Sequence, residues 1–149
     1  IRYLLHEAYG AKEYILCNID SKISAQMVGS VAYTDAKKQI IFKSKALTAV
    51  EKGTQNQLTG NTDWDLPVAL LDDVTTGGDG TAKNVADLVA EAFLHVKDIQ
   101  IFVGFIRTPK PTTYKTQHVL TRDELLEIIW DTLSPEQKQA VEKEKRLDK

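Results

Sequence analysis

Val68 to Asn84 reads VALLDDVTTGGDGTAKN, and the order of its residues decides how the rest of the chain is interpreted. Pro67 to Leu71, PVALL, is a continuous apolar run of the kind that forms a strand covered on both faces. Asp72 and Asp73 end it, and a loop over 72–81, DDVTTGGDGT, follows. Residues 82–94 then carry the clearest helical pattern of the chain, with Val85, Leu88, Val89, Ala92 and Phe93 at helical spacing. Ligands of open parallel sheets bind beyond the carboxyl ends of the strands, which is where this loop falls. Gly77, Gly78 and Gly80 let the backbone turn at little steric cost and aim N–H groups at an anion. Thr75, Thr76 and Thr81 offer hydroxyls, and the helix that starts near Thr81 brings the positive end of its dipole. Two aspartates beside a phosphate make sense if they bind ribose hydroxyls, directly or through Mg²⁺, an ion that favours carboxylates and substrate oxygens. The segment therefore reads as a sugar-phosphate loop. The plainer alternative is a glycine-rich turn with two solvated aspartates. Neither GxxxxGK[ST] nor GxGxxG occurs in it.

Working outward, buried strands alternate with helices. Residues 2–10 read as a short helix stopped at Gly10, and Tyr14 to Ile19, YILCNI, as a buried strand. Ser24 is placed to cap a helix over 25–34 with Met27, Val28 and Val31 inward. Lys38 to Phe42 reads as a second strand, and 44–60 as a long polar loop, of the sort that is usually functional. Ile99 to Ile106 is a fourth buried strand, and 107–117, with Pro109 and Pro111, reads as irregular. Thr121 and Glu124 form a capping-box pattern before a helix over 120–133. Ser134-Pro135-Glu136-Gln137 starts a charged C-terminal helix or tail, 134–149, set apart from a domain spanning 1–133. The expected class is α/β, a mainly parallel sheet with helices on both faces.

The remaining composition narrows the function mainly by exclusion. The chain has 149 residues, 42% hydrophobic and 27% charged, which suits one globular domain. A net charge of −2 gives no general attraction to nucleic acid, so none is expected as a partner. Cys17 is the single cysteine, so neither an intrachain disulfide nor a cysteine zinc cluster is possible. His6, His95 and His118 show no metal-ligand spacing. No apolar run approaches the roughly 20 residues that span a bilayer, and no signal peptide is visible, so no membrane partner and a cytoplasmic setting are expected. A first residue Ile1 rather than Met suggests that residues upstream are missing.

The strand, acidic pair and threonine–glycine loop of 68–84 resemble the PRPP-binding signature of the type I phosphoribosyltransferases. The resemblance extends over roughly 12–130: YILCNIDSK at 14–22 sits where the family places its pyrophosphate loop, and IQIFVGFIR at 99–107 resembles its late strand. Within the family the orotate phosphoribosyltransferases are closest, through Ser44-Lys45 before the long loop, Gly53 and Gly60 within it, and Arg107 at the end of the late strand. Several positions depart from the pattern. Val74 is followed directly by Thr75, Ser44 stands where an arginine is usual, Lys52 where a histidine is usual, and the base-binding hood is reduced or missing.

The resemblance implies displacement of pyrophosphate from PRPP by a nitrogen of a nucleobase, orotate favoured, in nucleotide biosynthesis. It assigns the 5′-phosphate to Thr75, Thr76, Gly77, Gly78, Asp79, Gly80 and Thr81. It gives the ribose hydroxyls and Mg²⁺ to Asp72 and Asp73, the pyrophosphate to Lys22, Lys43, Lys45 and the loop residue Lys52, and the base to Arg107. It also implies a homodimer. Two other readings stand beside it: an inactive relative that keeps the PRPP pocket for sensing or assembly, and an unrelated receiver-like α/β domain.

Overall fold

The computed structural model describes residues 1–19, 22–34, 38–42, 58–59, 65–93, 95–96 and 98–147. Six strands form one sheet in the order β3-β2-β1-β4-β5-β6: β1 is Ile15–Asn18, β2 Lys38–Phe42, β3 Leu58–Thr59, β4 Val68–Thr75, β5 Ile99–Ile106 and β6 Lys115–Thr121. The β1/β2, β1/β4, β4/β5 and β5/β6 pairs are parallel, and only β2/β3 is antiparallel. Helices α1 (Arg2–Tyr9), α2 (Lys22–Thr34) and α3 (Thr81–Ala92) pack on it, and α4 (Arg122–Ile129) and α5 (Pro135–Leu147) follow β6.

Side-chain alternation along the central strands explains the three layers. Ile15, Cys17, Val68, Leu70, Ile101 and Val103 point to one face, where Val85 and Val89 of α3 and Phe93 just after it cover them. Leu16, Ala69, Leu71 and Phe102 point to the other, where Leu5 and Tyr9 of α1 and Val28 and Val31 of α2 cover them. Tyr9 stacks on Tyr14 with ring centroids 4.5 Å apart and tilts against Phe102. Cys17 is fully buried, and burial pushes its thiol up to about 12.

Ser24 is not a cap. The helix begins at Lys22, and Ser24 lies inside it with its hydroxyl turned to the sheet. It accepts from the Ile19 N–H at 2.8 Å and donates to the Leu71 carbonyl, tying α2 to the end of β1 and the middle of β4. A second difference concerns β4. It runs four residues past Leu71, so Asp72 and Asp73 lie within the strand rather than after it. Pairing with β5 continues to Thr75↔Ile106. A third is β6, which takes up the end of the stretch expected to be irregular and delays the next helix to Arg122. The Thr121–Glu124 capping box is formed in both directions, and Ser134 and Gln137 form a second reciprocal pair at the start of α5. Within 44–60, Leu58–Thr59 is the described strand β3.

Ser24→Ala should leave the Ile19 N–H and the Leu71 carbonyl buried without this partner. The expected loss is on the order of 1–3 kcal/mol in urea unfolding, with the helical content retained.

Candidate functional site

The loop after β4 is shaped by backbone contacts with the segment that follows β5. The Arg107 N–H donates to the Thr75 carbonyl at 2.9 Å, and the Thr108 N–H to the Thr76 carbonyl at 3.1 Å, so the ladder continues past the strands. Gly77 and Gly78 then reverse the chain with φ of 117° and 67°, conformations that favour glycine. Gly77 has a further reason to lack a side chain: a Cβ there would lie 1.8 Å from the Thr108 carbonyl oxygen. Thr75 accepts from the Gly77 N–H at 3.3 Å, closing a local turn.

Gly80 caps α3 without a side-chain hydrogen bond, and the first turn of α3 has no acidic residue. The first amides of a helix lack intrahelical acceptors, so this end favours an anion. Asp72, Thr75, Gly78, Asp79, Gly80 and Thr81 line one shallow open cleft in front of it. Thr76 and Arg107 face a different cleft, together with Thr108 and Lys110. The residues expected to form one surface thus line two.

Asp72 is only 6% exposed. Burial pushes its carboxyl up to about 7, reinforced by hydrogen bonding to Asp73 and by that neighbour's charge. Backbone groups of Asp73 and Val74 pull the other way and lose. Asp79 differs: its carboxylate accepts from the Thr113 N–H at 2.8 Å and the Thr113 hydroxyl at 2.6 Å, which hold it below the usual carboxylate range. Lys83 pairs with Asp87 at 2.7 Å, and Tyr114 donates to the same carboxylate at 2.7 Å. These bonds from Thr113 and Tyr114 were not visible in the sequence, because they join residues 34 and 27 apart.

Arg107 pairs with Glu144 of α5 at 2.9 Å, and Arg122 pairs with the other oxygen of that carboxylate. Lys22 opens α2. Lys43, Lys45 and Lys52, with Ser44, Gly53 and Gly60, lie outside the described residues. Asp72 and Asp73 are hard oxygen donors suited to Mg²⁺. Among the described residues no group of three or more histidine, cysteine or carboxylate side chains gathers. No helix among the described residues is long and apolar enough to cross a membrane.

No protein-family model matches the chain, and no curated protein matches it by sequence. Solved structures do resemble it. A hypoxanthine phosphoribosyltransferase from Staphylococcus aureus superimposes with a TM-score of 0.50 at 16% identity, over 80% of this chain and 67% of that one. A hypoxanthine-guanine phosphoribosyltransferase from Bacillus anthracis gives 0.41 at 10% identity, over 78% and 73%. The hypoxanthine enzyme of Trypanosoma cruzi gives 0.41 at 10%, over 80% and 68%. The first of these supports the fold: the chain has the phosphoribosyltransferase-like α/β architecture, with a mainly parallel sheet between helices.

The raised carboxyl of Asp72 has a measurable consequence. Below its ordinary value of 3.8 both folded and unfolded chains hold the proton; from there up to about 7 only the folded chain does. Stability from this group is therefore fully present at low pH and falls as pH rises through that window. Asp72→Asn, neutral throughout, should gain on the wild type between pH 5 and pH 8 by on the order of 2–4 kcal/mol in urea unfolding. A difference that does not change with pH would show that Asp72 is already ionised at pH 5.

Proposed function

We propose that the chain transfers a phosphoribosyl group from PRPP to a nucleobase and releases pyrophosphate. The observation that carries this is the shared cleft: a buried carboxyl, a glycine turn, threonine hydroxyls and the uncapped N-terminus of α3 face one space at the end of a parallel sheet. That combination suits a sugar phosphate, with hydroxyls at one end and a dianion at the other.

In this reading the C1′–oxygen bond to pyrophosphate breaks, a C1′–nitrogen bond to the base forms, and the base nitrogen gives up its proton. Thr75, Gly78, Gly80 and Thr81 hold the 5′-phosphate through amides and hydroxyls. Asp72 and Asp73 accept from the ribose 2′- and 3′-hydroxyls and stabilise positive charge that develops at C1′. Lys22, Lys45 and Lys52 neutralise the departing pyrophosphate, Lys52 from the long loop. Mg²⁺, when bound, offsets the charge of the pyrophosphate.

For the base, two lines of support diverge. Arg107 at the end of β5 suits an acidic base such as orotate, although its guanidinium is engaged by Glu144 in the free chain. The Staphylococcus aureus structure that the fold resembles is named for hypoxanthine. A homodimer belongs to the same proposal. A chain that binds PRPP without turnover is the alternative, favoured by the departures of the loop after Val74 from the family pattern and by the reduced or missing hood.

Pyrophosphate release from PRPP with Mg²⁺, measured with orotate and with hypoxanthine in parallel, tests the proposal. Release that depends on a base and falls about 100-fold or more in Asp72→Asn/Asp73→Asn is expected. PRPP binding in calorimetry without release would favour the non-catalytic alternative, and absence of both would end the phosphate-loop assignment.

A further inference from the structure

Asp79 is hard to place as a ligand of a phosphate. It stands in the cleft beside Thr81 at the start of α3, where a carboxylate repels an anion. Its oxygens are also engaged: Oδ1 takes the Thr113 N–H and Oδ2 the Thr113 hydroxyl, at 2.8 and 2.6 Å. Thr113 belongs to the segment between β5 and β6, whose start is bonded to the same loop through Arg107 and Thr108. The segment thus runs alongside the loop from Thr75 to Asp79 and is fastened at both ends. Between the fastenings lie Gly77 and Gly78. The Thr108 carbonyl presses on Gly77, and the stem of Lys110 lies within contact of a Cβ built on Gly78.

We propose that Asp79 is a positioning residue: by clamping Thr113 it holds the segment 107–113 against the glycine turn and fixes the backbone that faces the sugar phosphate. The proposal rests on the phosphate-loop assignment above and adds a residue that acts through another instead of touching the ligand. At the Arg107 end the ladder hydrogen bonds already supply the fastening. At the far end Asp79 supplies both bonds to Thr113. Lys83, one turn into α3, faces the same cleft and offsets part of the carboxylate's charge.

Charge and clamp make opposite predictions. If Asp79 acted only as a negative charge near the site, removing it would strengthen anion binding. If it acts as a clamp, removing it weakens binding, and asparagine rescues, because its oxygen can accept from the Thr113 N–H while its amide donates to the Thr113 hydroxyl.

The test is calorimetric titration of the full chain with ribose 5-phosphate and with inorganic phosphate. Asp79→Ala should bind ribose 5-phosphate about 10-fold more weakly than the wild type, a loss of about 1.4 kcal/mol. Asp79→Asn should bind as tightly as the wild type or tighter, a recovery that a general loss of stability would not give. Thr113→Val should weaken binding, and combined with Asp79→Ala it should add little, as expected of two halves of one contact. Should Asp79→Ala fold poorly, Thr113→Val and Asp79→Asn still separate clamp from charge. Equal or tighter binding by Asp79→Ala, or full additivity of the two substitutions, overturns the proposal. A wild type that binds neither ribose 5-phosphate nor phosphate overturns the phosphate-loop assignment itself, and the positioning role with it.

Discussion

The β4–β5 ladder is the constraint on which the site depends. The two strands stay in register from Val68↔Ile99 to Thr75↔Ile106, well past Leu71 where the apolar core under β4 ends. Such an extension brings backbones close. At Gly104 a Cβ would lie 2.9 Å from the Asp73 carbonyl oxygen, so a side chain there would push the acidic strand away. Asp72 and Asp73 are consequently held by a strand rather than by a loop. A group on a strand loses little further freedom when a ligand arrives, which favours a fixed site for sugar hydroxyls.

Three carboxylates lie in a short stretch that also offers amides and hydroxyls to an anion, and the fold deals with each charge differently. Asp72 is buried and keeps its proton to about neutral pH. Asp73 is partly exposed beside it and adds to the shift that burial causes. Asp79 is turned to Thr113 and faces Lys83 across the start of α3. Repulsion is therefore contained at each position by burial, hydrogen bonds or a nearby cation. The same accounting applies to Arg107 and Arg122, which share Glu144. An exposed pair of this kind contributes about 0–1 kcal/mol, so a ligand with an acid group could displace Glu144 at small cost.

Much of this was legible in the sequence. Buried strands announce themselves by continuous apolar runs, and PVALL marked the first half of β4 and IQIFVGFI the whole of β5, the second to the residue. The capping box at Thr121 set the start of α4 to within two residues, because its two bonds span only three residues. What escaped depends on partners distant in sequence. KTQHVLT has no buried residue and becomes a strand only because β5 offers it an edge. The last four residues of β4 look like loop, opening with two aspartates and leading into the threonine–glycine stretch, and are strand only because β5 continues beside them. Ser24 looked like a cap from its place before a helical run, whereas its true partners are Ile19 and the distant Leu71. Glycines flagged the turn correctly, but only Gly77 and Gly78 use positive φ; Gly80 does not.

The loop after β4 does more than close one pocket. Thr75 and Thr76 are neighbours, yet Thr75 lines the cleft at α3 and Thr76 the cleft at Arg107 and Lys110. Gly77 presses against the Thr108 carbonyl where the loop meets the segment after β5. The cleft at α3 holds the open end of a helix and a buried carboxyl; the other holds two cations without a carboxylate lining. Here a single turn borders both, so its conformation governs both at once. Any side chain at Gly77 would then disturb the two spaces together, which ties the glycine at this position to the arrangement as a whole rather than to one ligand contact.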